Sequence, residues 1–194
     1  MIYKKDITGI ILAGGKSSRM GSDKGLISLN GASFISHIIE VVTPLVKEII
    51  IVSNKTDYDV FKLKRVADMV EDSGPLAGLY TGLYHSKTEN NLVLSCDVPL
   101  INEAVLNKLI EGNNNESDII QLQSHGKTMP LIAIYKKHCM HRCLDLLMKG
   151  ERRLRTFVAQ MDTKTIVLDP ELDKYIRNIN TLSQLKELRH ELEN

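Results

Sequence analysis

Apolar residues in the first hundred positions fall into short runs separated by stretches of mixed character. Ile7–Ala13 (ITGIILA), Glu48–Ser53 (EIIIVS) and Asn91–Cys96 (NLVLSC) are rich in β-branched residues or leucine and are bounded by turn formers. Runs of that length and composition predict central strands of a parallel sheet, buried on both faces. Arg65–Val70 is a weaker strand between the second and third of these. Ser33–Val42 and Leu76–His85 carry apolar residues at helical spacing. So does Asn102–Glu111, which follows the helix-start signal of a proline and an asparagine.

The second half predicts strands over Asp118–Gln123 and Leu131–Tyr135, then a helix over His138–Lys149 that ends at Gly150. Glu151–Met161 reads as helix, Thr165–Leu168 and Tyr175–Ile179 as short strands. Thr181–Glu193 is an amphipathic terminal helix with Leu182, Leu185, Leu188 and Leu192 on one face. Strands alternating with helices imply βαβ units with right-handed crossovers. The expectation is one α/β domain of three αβα layers around a mostly parallel sheet. Its two halves are about 1–100 and about 101–194. Gly112–Asn115 (GNNN) is too short for a linker and reads as a surface loop.

Composition narrows the function classes. With 194 residues, 43% hydrophobic and 25% charged, the chain is an ordinary globular one. A net charge of +1 excludes the broad basic face of a general nucleic-acid binder, so an anionic ligand must be held locally. Three cysteines form no secreted-type framework, and no apolar stretch approaches the roughly 20 residues of a membrane span. A cytoplasmic protein without nucleic-acid or membrane partners is expected.

Candidate chemistry gathers after the first strand, at the sheet edge where open α/β sheets bind ligands. Leu12–Lys24 reads LAGGKSSRMGSDK. Gly14 and Gly15 let the backbone approach a ligand with its N–H groups facing phosphate oxygens. Ser17 and Ser18 add hydroxyl donors, Arg19 a fork of donors and Lys24 a compact charge. Neither the Walker spacing nor the Gly-x-Gly-x-x-Gly of dinucleotide folds is present. A flexible solvated turn is the plain alternative, but its position directly after a buried strand favours phosphate binding. Asp97, in Cys96-Asp97-Val98-Pro99, stands at another strand's carboxyl end. It is placed either to hold a hard cation such as magnesium or to cap the following turn.

The loop resembles the signature L-A-G-G-x-S-x-R-M-G-x-D-K of the molybdenum cofactor guanylyltransferases and matches every fixed position. The resemblance, spanning Ile10 to about Leu188, implies a Rossmann-like nucleotidyltransferase fold. It implies an enzyme that transfers GMP from GTP to the terminal phosphate of molybdenum-molybdopterin. It assigns the triphosphate to the loop, including Leu12, Ala13, Gly14, Gly15 and Lys24, with Arg19, Lys24 and Asp97 catalytic and Mg2+ on Asp97. Partners implied are GTP, the molybdopterin cofactor, other cofactor-biosynthesis proteins and recipient molybdoenzymes. In the family's G-P-L-A-G turn, here Gly74–Gly78, an upstream aspartate contacts the nucleotide. Asp68 has better spacing for that part than Asp72. Asn54, after the strand EIIIVS, corresponds to a nucleotide-recognising asparagine. Gly150-Glu151-Arg152-Arg153 and Asn178-Ile179-Asn180-Thr181 resemble acceptor-side motifs. On them Arg153 would clamp a pterin-linked phosphate, and Asn178 and Asn180, alternating on one strand face, would bind the heterocycle.

Two rival readings are a cytidylyl- or sugar-phosphate nucleotidyltransferase and a non-catalytic nucleotide-binding adaptor. His138, Cys139, His141 and Cys143 are soft ligands without a second Cys/His pair, so a partly buried helix face is expected there rather than zinc.

Overall fold

Apolar side chains that alternate along a strand can fill two opposite layers only if helices cover both faces of the sheet. The structure, a computed structural model, describes residues 6–14, 23–71, 73–114 and 116–193. Its strands are β1 (Ile7–Leu12), β2 (Ser28–Leu29), β3 (Ala32–Ser33), β4 (Glu48–Val52), β5 (Lys64–Val66), β6 (Asn90–Ser95), β7 (Ile119–Ser124), β8 (Lys127–Lys136) and β9 (Thr163–Val167). Its α-helices are α1 (Phe34–Val42), α2 (Gly74–His85), α3 (Glu103–Gly112), α4 (Cys139–Met148), α5 (Leu154–Val158) and α6 (Leu182–Glu193). Ile11, Ile51, Leu92 and Leu94 share one core with Ile35 and Ile38 of α1 and Val105 and Leu109 of α3. Ile10, Ile50 and Val93 face the other way, toward Leu76 and Leu79 of α2, Cys139 and Cys143 of α4, and Phe157 of α5. These are the three layers. Cys139 and Cys143 are buried packing residues. A smaller cluster of Leu29, Phe34, Ile179, Leu185 and Leu188 seats α6 beside the β2–β3 hairpin.

The seven-stranded sheet runs β5-β4-β1-β6-β8-β7-β9. The chain winds outward from β1 through β4 to β5, then returns to place β6 on the other side of β1. Strand order therefore reverses between β1 and β6, and such a reversal opens a crevice at the strands' carboxyl ends. β1 is parallel to β4 and β6, β4 to β5, and β7 to β9, whereas β8 is antiparallel to both β6 and β7. The reversed strand follows from a two-residue turn, His125-Gly126, in which both residues have positive φ, at 47° and 72°. That geometry suits the twist of a tight hairpin.

Several elements differ from the periodicity. Tyr175–Ile179 is not a strand: a 3-10 helix spans Pro170–Ile176, and irregular extended chain follows. Pro170 at its start cannot donate to a ladder, and β9 already takes the sheet edge. The helix expected over Glu151–Met161 is confined to Leu154–Val158, because the side chain of Glu151 accepts the backbone N–H groups of Arg152 and Arg153. β5 is shorter than Arg65–Val70 and starts one residue earlier. β8 extends back to Lys127, and β2 and β3 are too short to leave a periodic trace. Among the described residues, no helix is long and apolar enough to cross a membrane.

Candidate active site at the carboxyl ends of the central strands

The parallel ladders run to the very end of the strands, so the residues that leave them are held side by side. The Ala13 N–H donates to the Val52 carbonyl at 2.9 Å, and the Cys96 N–H to the Leu12 carbonyl at 3.1 Å. Gly14 and Asp97 thus emerge on either side of the switch point. Above them lies a cleft of about 810 Å³, within the size range of small-molecule sites. Leu12, Gly14, Lys24, Asn54, Asp68 and Asp97 all line it. A Cβ built on Gly14 would meet nothing within 4 Å among the described residues, so packing against them does not require the glycine. Its value is a bare floor that lets a ligand reach the backbone.

Lys24 and Asp97 form the centre. Lys24 opens a 3-10 turn, Lys24–Leu26, and lies 3.9 Å from Oδ2 of Asp97, with the two side chains 23% and 16% exposed. The Lys24 ammonium also donates to Oδ1 of Asn180. Oδ1 of Asp97 accepts from the Ser95 hydroxyl at 2.5 Å and from the Asn178 amide at 2.8 Å. One carboxylate oxygen is therefore fixed by two donors, and the other faces the cleft and the lysine. The asparagines are brought there by a strap: the Ile179 N–H donates to the Asp97 carbonyl at 2.8 Å. A capping box then starts α6, with Gln184 Oε1 accepting the N–H groups of Asn180 and Thr181 while Thr181 Oγ1 accepts that of Gln184.

Asp68, at the end of the chain leaving β5, is held from below. Its N–H donates to Oδ1 of Asn54 at 2.7 Å, so Asn54 orders the aspartate. Oδ1 of Asp68 is buried without a hydrogen-bond partner among the described residues, and it lies 3.7 Å from where a Cβ on Gly78 would stand. Burial raises its pKa above the ordinary carboxylate range. An unpartnered buried acceptor on a cleft wall suits a donor brought by a ligand. Gly78 lines the cleft, whereas Gly82, one turn on, serves packing: a Cβ there would meet Ile10 Cγ2 at 2.5 Å.

The paired arginines divide. Arg153 is 79% exposed and binds Glu151 with both Nε and Nη2, which holds the Glu151 carboxyl down to about 2. It lines a second depression, with Pro75, Pro130 and Leu131. Pro75 and Leu131 also line the main cleft, so the two spaces adjoin. Arg152, unassigned by the sequence, faces the main cleft. The motif Gly150–Arg153 contained this signal, but adjacency alone does not say which arginine lines the cleft. Ser95 and Lys55 were also missed, although each stands two residues or fewer from an identified position. Gly15, Arg19 and Asp72 lie outside the described residues.

Among the described residues no group of three or more His, Cys, Asp or Glu side chains forms a metal cage. A single carboxylate with one open oxygen is the donor set that magnesium takes when phosphates and water supply its other ligands.

Comparisons with known proteins identify relatives of the chain. The family description "MobA-like NTP transferase domain" matches residues 9–165. A relative from Flavobacterium johnsoniae, named a probable molybdenum cofactor guanylyltransferase, is 37% identical over 182 residues, covering 94% of this chain and 96% of its own. One of the same name from Carboxydothermus hydrogenoformans is 31% identical, covering 95% of each chain. Among solved structures, the molybdopterin-guanine dinucleotide biosynthesis protein A of Archaeoglobus fulgidus shares the fold, with a TM-score of 0.82 at 21% identity over 96% of this chain and 98% of its own.

Proposed function

The chain belongs to the MobA-like NTP transferases, and from that premise we propose that it transfers GMP from GTP to the terminal phosphate of molybdenum-molybdopterin, releasing pyrophosphate. The observation that carries the reading is the meeting of Lys24, Asp97, Asn178 and Asn180 at one point of the cleft floor. A binding module for a nucleotide needs no carboxylate beside its phosphate lysine. A transferase that must neutralise charge developing between donor and acceptor does.

An oxygen of the acceptor phosphate attacks the α-phosphorus of GTP, the bond to the bridging oxygen breaks, and pyrophosphate leaves. The attacking oxygen is already anionic, so positioning and charge neutralisation carry the step without a covalent protein intermediate. Lys24 donates to the α-phosphate, and Asn180 fixes the lysine's direction beforehand. Asp97, oriented by Ser95 and Asn178, would hold Mg2+ through Oδ2. A magnesium ion there supplies charge neutralisation of the phosphate oxygens. Arg19 and the Gly14–Ser18 backbone, in the loop to which the family resemblance gives the triphosphate, would hold the β- and γ-phosphates. Asp68 and Asn54 lie on the β4–β5 side of the cleft, where Asp68 Oδ1 accepts from the base or ribose. Arg152 and Arg153 lie on the opposite side, toward β8, and meet the acceptor's phosphate.

Incubation with Mg2+, molybdopterin and each of the four nucleoside triphosphates, with pyrophosphate as the readout, tests the reading. GTP is expected to give pyrophosphate fastest. Release fastest from CTP would favour a cytidylyltransferase, and none from any nucleotide a non-catalytic adaptor.

A further inference from the structure

The residues on both sides of Lys24 rest on one buried side chain. Tyr58 lies in the 3-10 helix Thr56–Phe61, which follows β4 and is remote from Lys24 in sequence; its ring is fully buried. Its hydroxyl donates to Oδ1 of Asp23, the residue before the lysine. The same Oδ1 accepts the N–H of Gly25, the residue after it, at 3.1 Å. A Cβ built on Gly25 would fall inside the contact radius of that hydroxyl, so the phenol fills the space under the turn. Oδ2 of Asp23 pairs with Lys55 at 2.9 Å, and the Asp23 side chain is 9% exposed. Asp23 therefore has its acceptors occupied inside the protein and is not offered to a ligand.

We propose that Tyr58 is a positioning residue for nucleotidyl transfer, which sets the direction of Lys24 through Asp23 and Gly25. Lys24 sits between a residue hydrogen-bonded to the phenol and a residue packed on it, and its Nζ must reach a point shared with Asn180 and Asp97. Rotation of the Lys24–Leu26 turn would carry the ammonium away from both. Burial together with the Asp23 carboxylate pushes the phenol pKa well above its ordinary value, so the hydroxyl stays a donor at every working pH. A mispositioned charge costs transition-state stabilisation more than ground-state binding, so the expected signature lies in kcat.

This inference rests on the transfer reading above, and a double-mutant cycle separates the two. Pyrophosphate release is measured for the parent chain, Tyr58→Phe, Lys24→Ala and the double variant, each normalised to folded protein by its thermal transition. Tyr58→Phe keeps the ring and removes only the hydroxyl. Its kcat is expected to fall about tenfold with KM for GTP within about twofold, and the same change in the Lys24→Ala background to cost less than twofold. An equal loss in both backgrounds, an unchanged kcat, or a Tyr58→Phe chain that does not fold would each overturn the inference while leaving the transferase reading intact. A parent chain that releases no pyrophosphate contradicts the reading itself and the inference with it.

Discussion

Lys24 and Asp97 are 73 positions apart in sequence and 3.9 Å apart in the fold, and the proposed chemistry depends on that distance. Removing the ammonium should lower turnover by about 100-fold or more, as loss of a preorganised electrostatic donor does. Steady-state pyrophosphate release by purified Lys24→Ala checks this, and near-parental turnover would remove the lysine from the mechanism. For Asp97→Ala the informative experiment is a magnesium titration, in which the half-saturating concentration should rise at least about tenfold. Asp68 carries the opposite kind of cost. Its folded-state pKa is raised by burial, so the folded protein favours the protonated carboxyl. Relative to a neutral residue, stability is then intact below the unfolded-state value of about 3.9 and declines as pH rises through the folded-state value. Asp68→Asn should therefore melt higher than the parent at pH 7, with the gap closing toward pH 3. A melting difference that is the same at both pH values would show that the buried charge is not its source.

Elements position these residues through close contacts that tolerate little change. α2 presses on β1 through Gly82, where a methyl group would meet Ile10 Cγ2 at 2.5 Å. Overpacking of this sort costs about 1–3 kcal/mol. For a chain of this size, Gly82→Ala should lower the melting midpoint by roughly 2–10 °C, checked by calorimetry. Gly78, on the same helix, has room for a methyl at ordinary contact distance, so Gly78→Ala should leave the midpoint within about 2 °C of the parent. Sequence alone does not separate the tasks of these two glycines, because the difference lies in what each meets across the helix–sheet interface. In the same way the β2–β3 hairpin, two residues per strand, and the Pro170–Ile176 turn are shorter than any window in which periodicity can be read.

Across the whole molecule, the layers, the central strands and the sheet edge that carries the site were legible, because each is written in local runs of apolar residues or in one contiguous loop. What was not legible depends on distance along the chain. Asn178 reaches Asp97 across 81 residues, and Asn180 reaches Lys24 across 156. Read locally, the two asparagines looked like a strand face on the acceptor side. The fold straps them past the end of β6, where their side chains also reach Lys24 and Asp97. Arg152 and Tyr58 were missed for the same reason: a place on the cleft wall and a buried hydroxyl have no sequence period. A chain ending at Ile176 should thus lose both activity and stability. It lacks Asn178 and Asn180, and it removes Ile179, Leu185 and Leu188, each buried side chain contributing about 1.5–3 kcal/mol. A fall in melting midpoint of at least about 5 °C is expected together with a transfer rate below about 1% of the parent's.

One transfer of GMP to the pterin carries the proposed function. GTP labelled at its α-phosphate, incubated with Mg2+ and molybdenum-molybdopterin, should pass its label to the pterin in one-to-one proportion with pyrophosphate in the parent chain. Lys24→Ala should pass it about 100-fold more slowly. Label that stays with free guanine nucleotide while the parent consumes GTP, or equal transfer by the two chains, would contradict it.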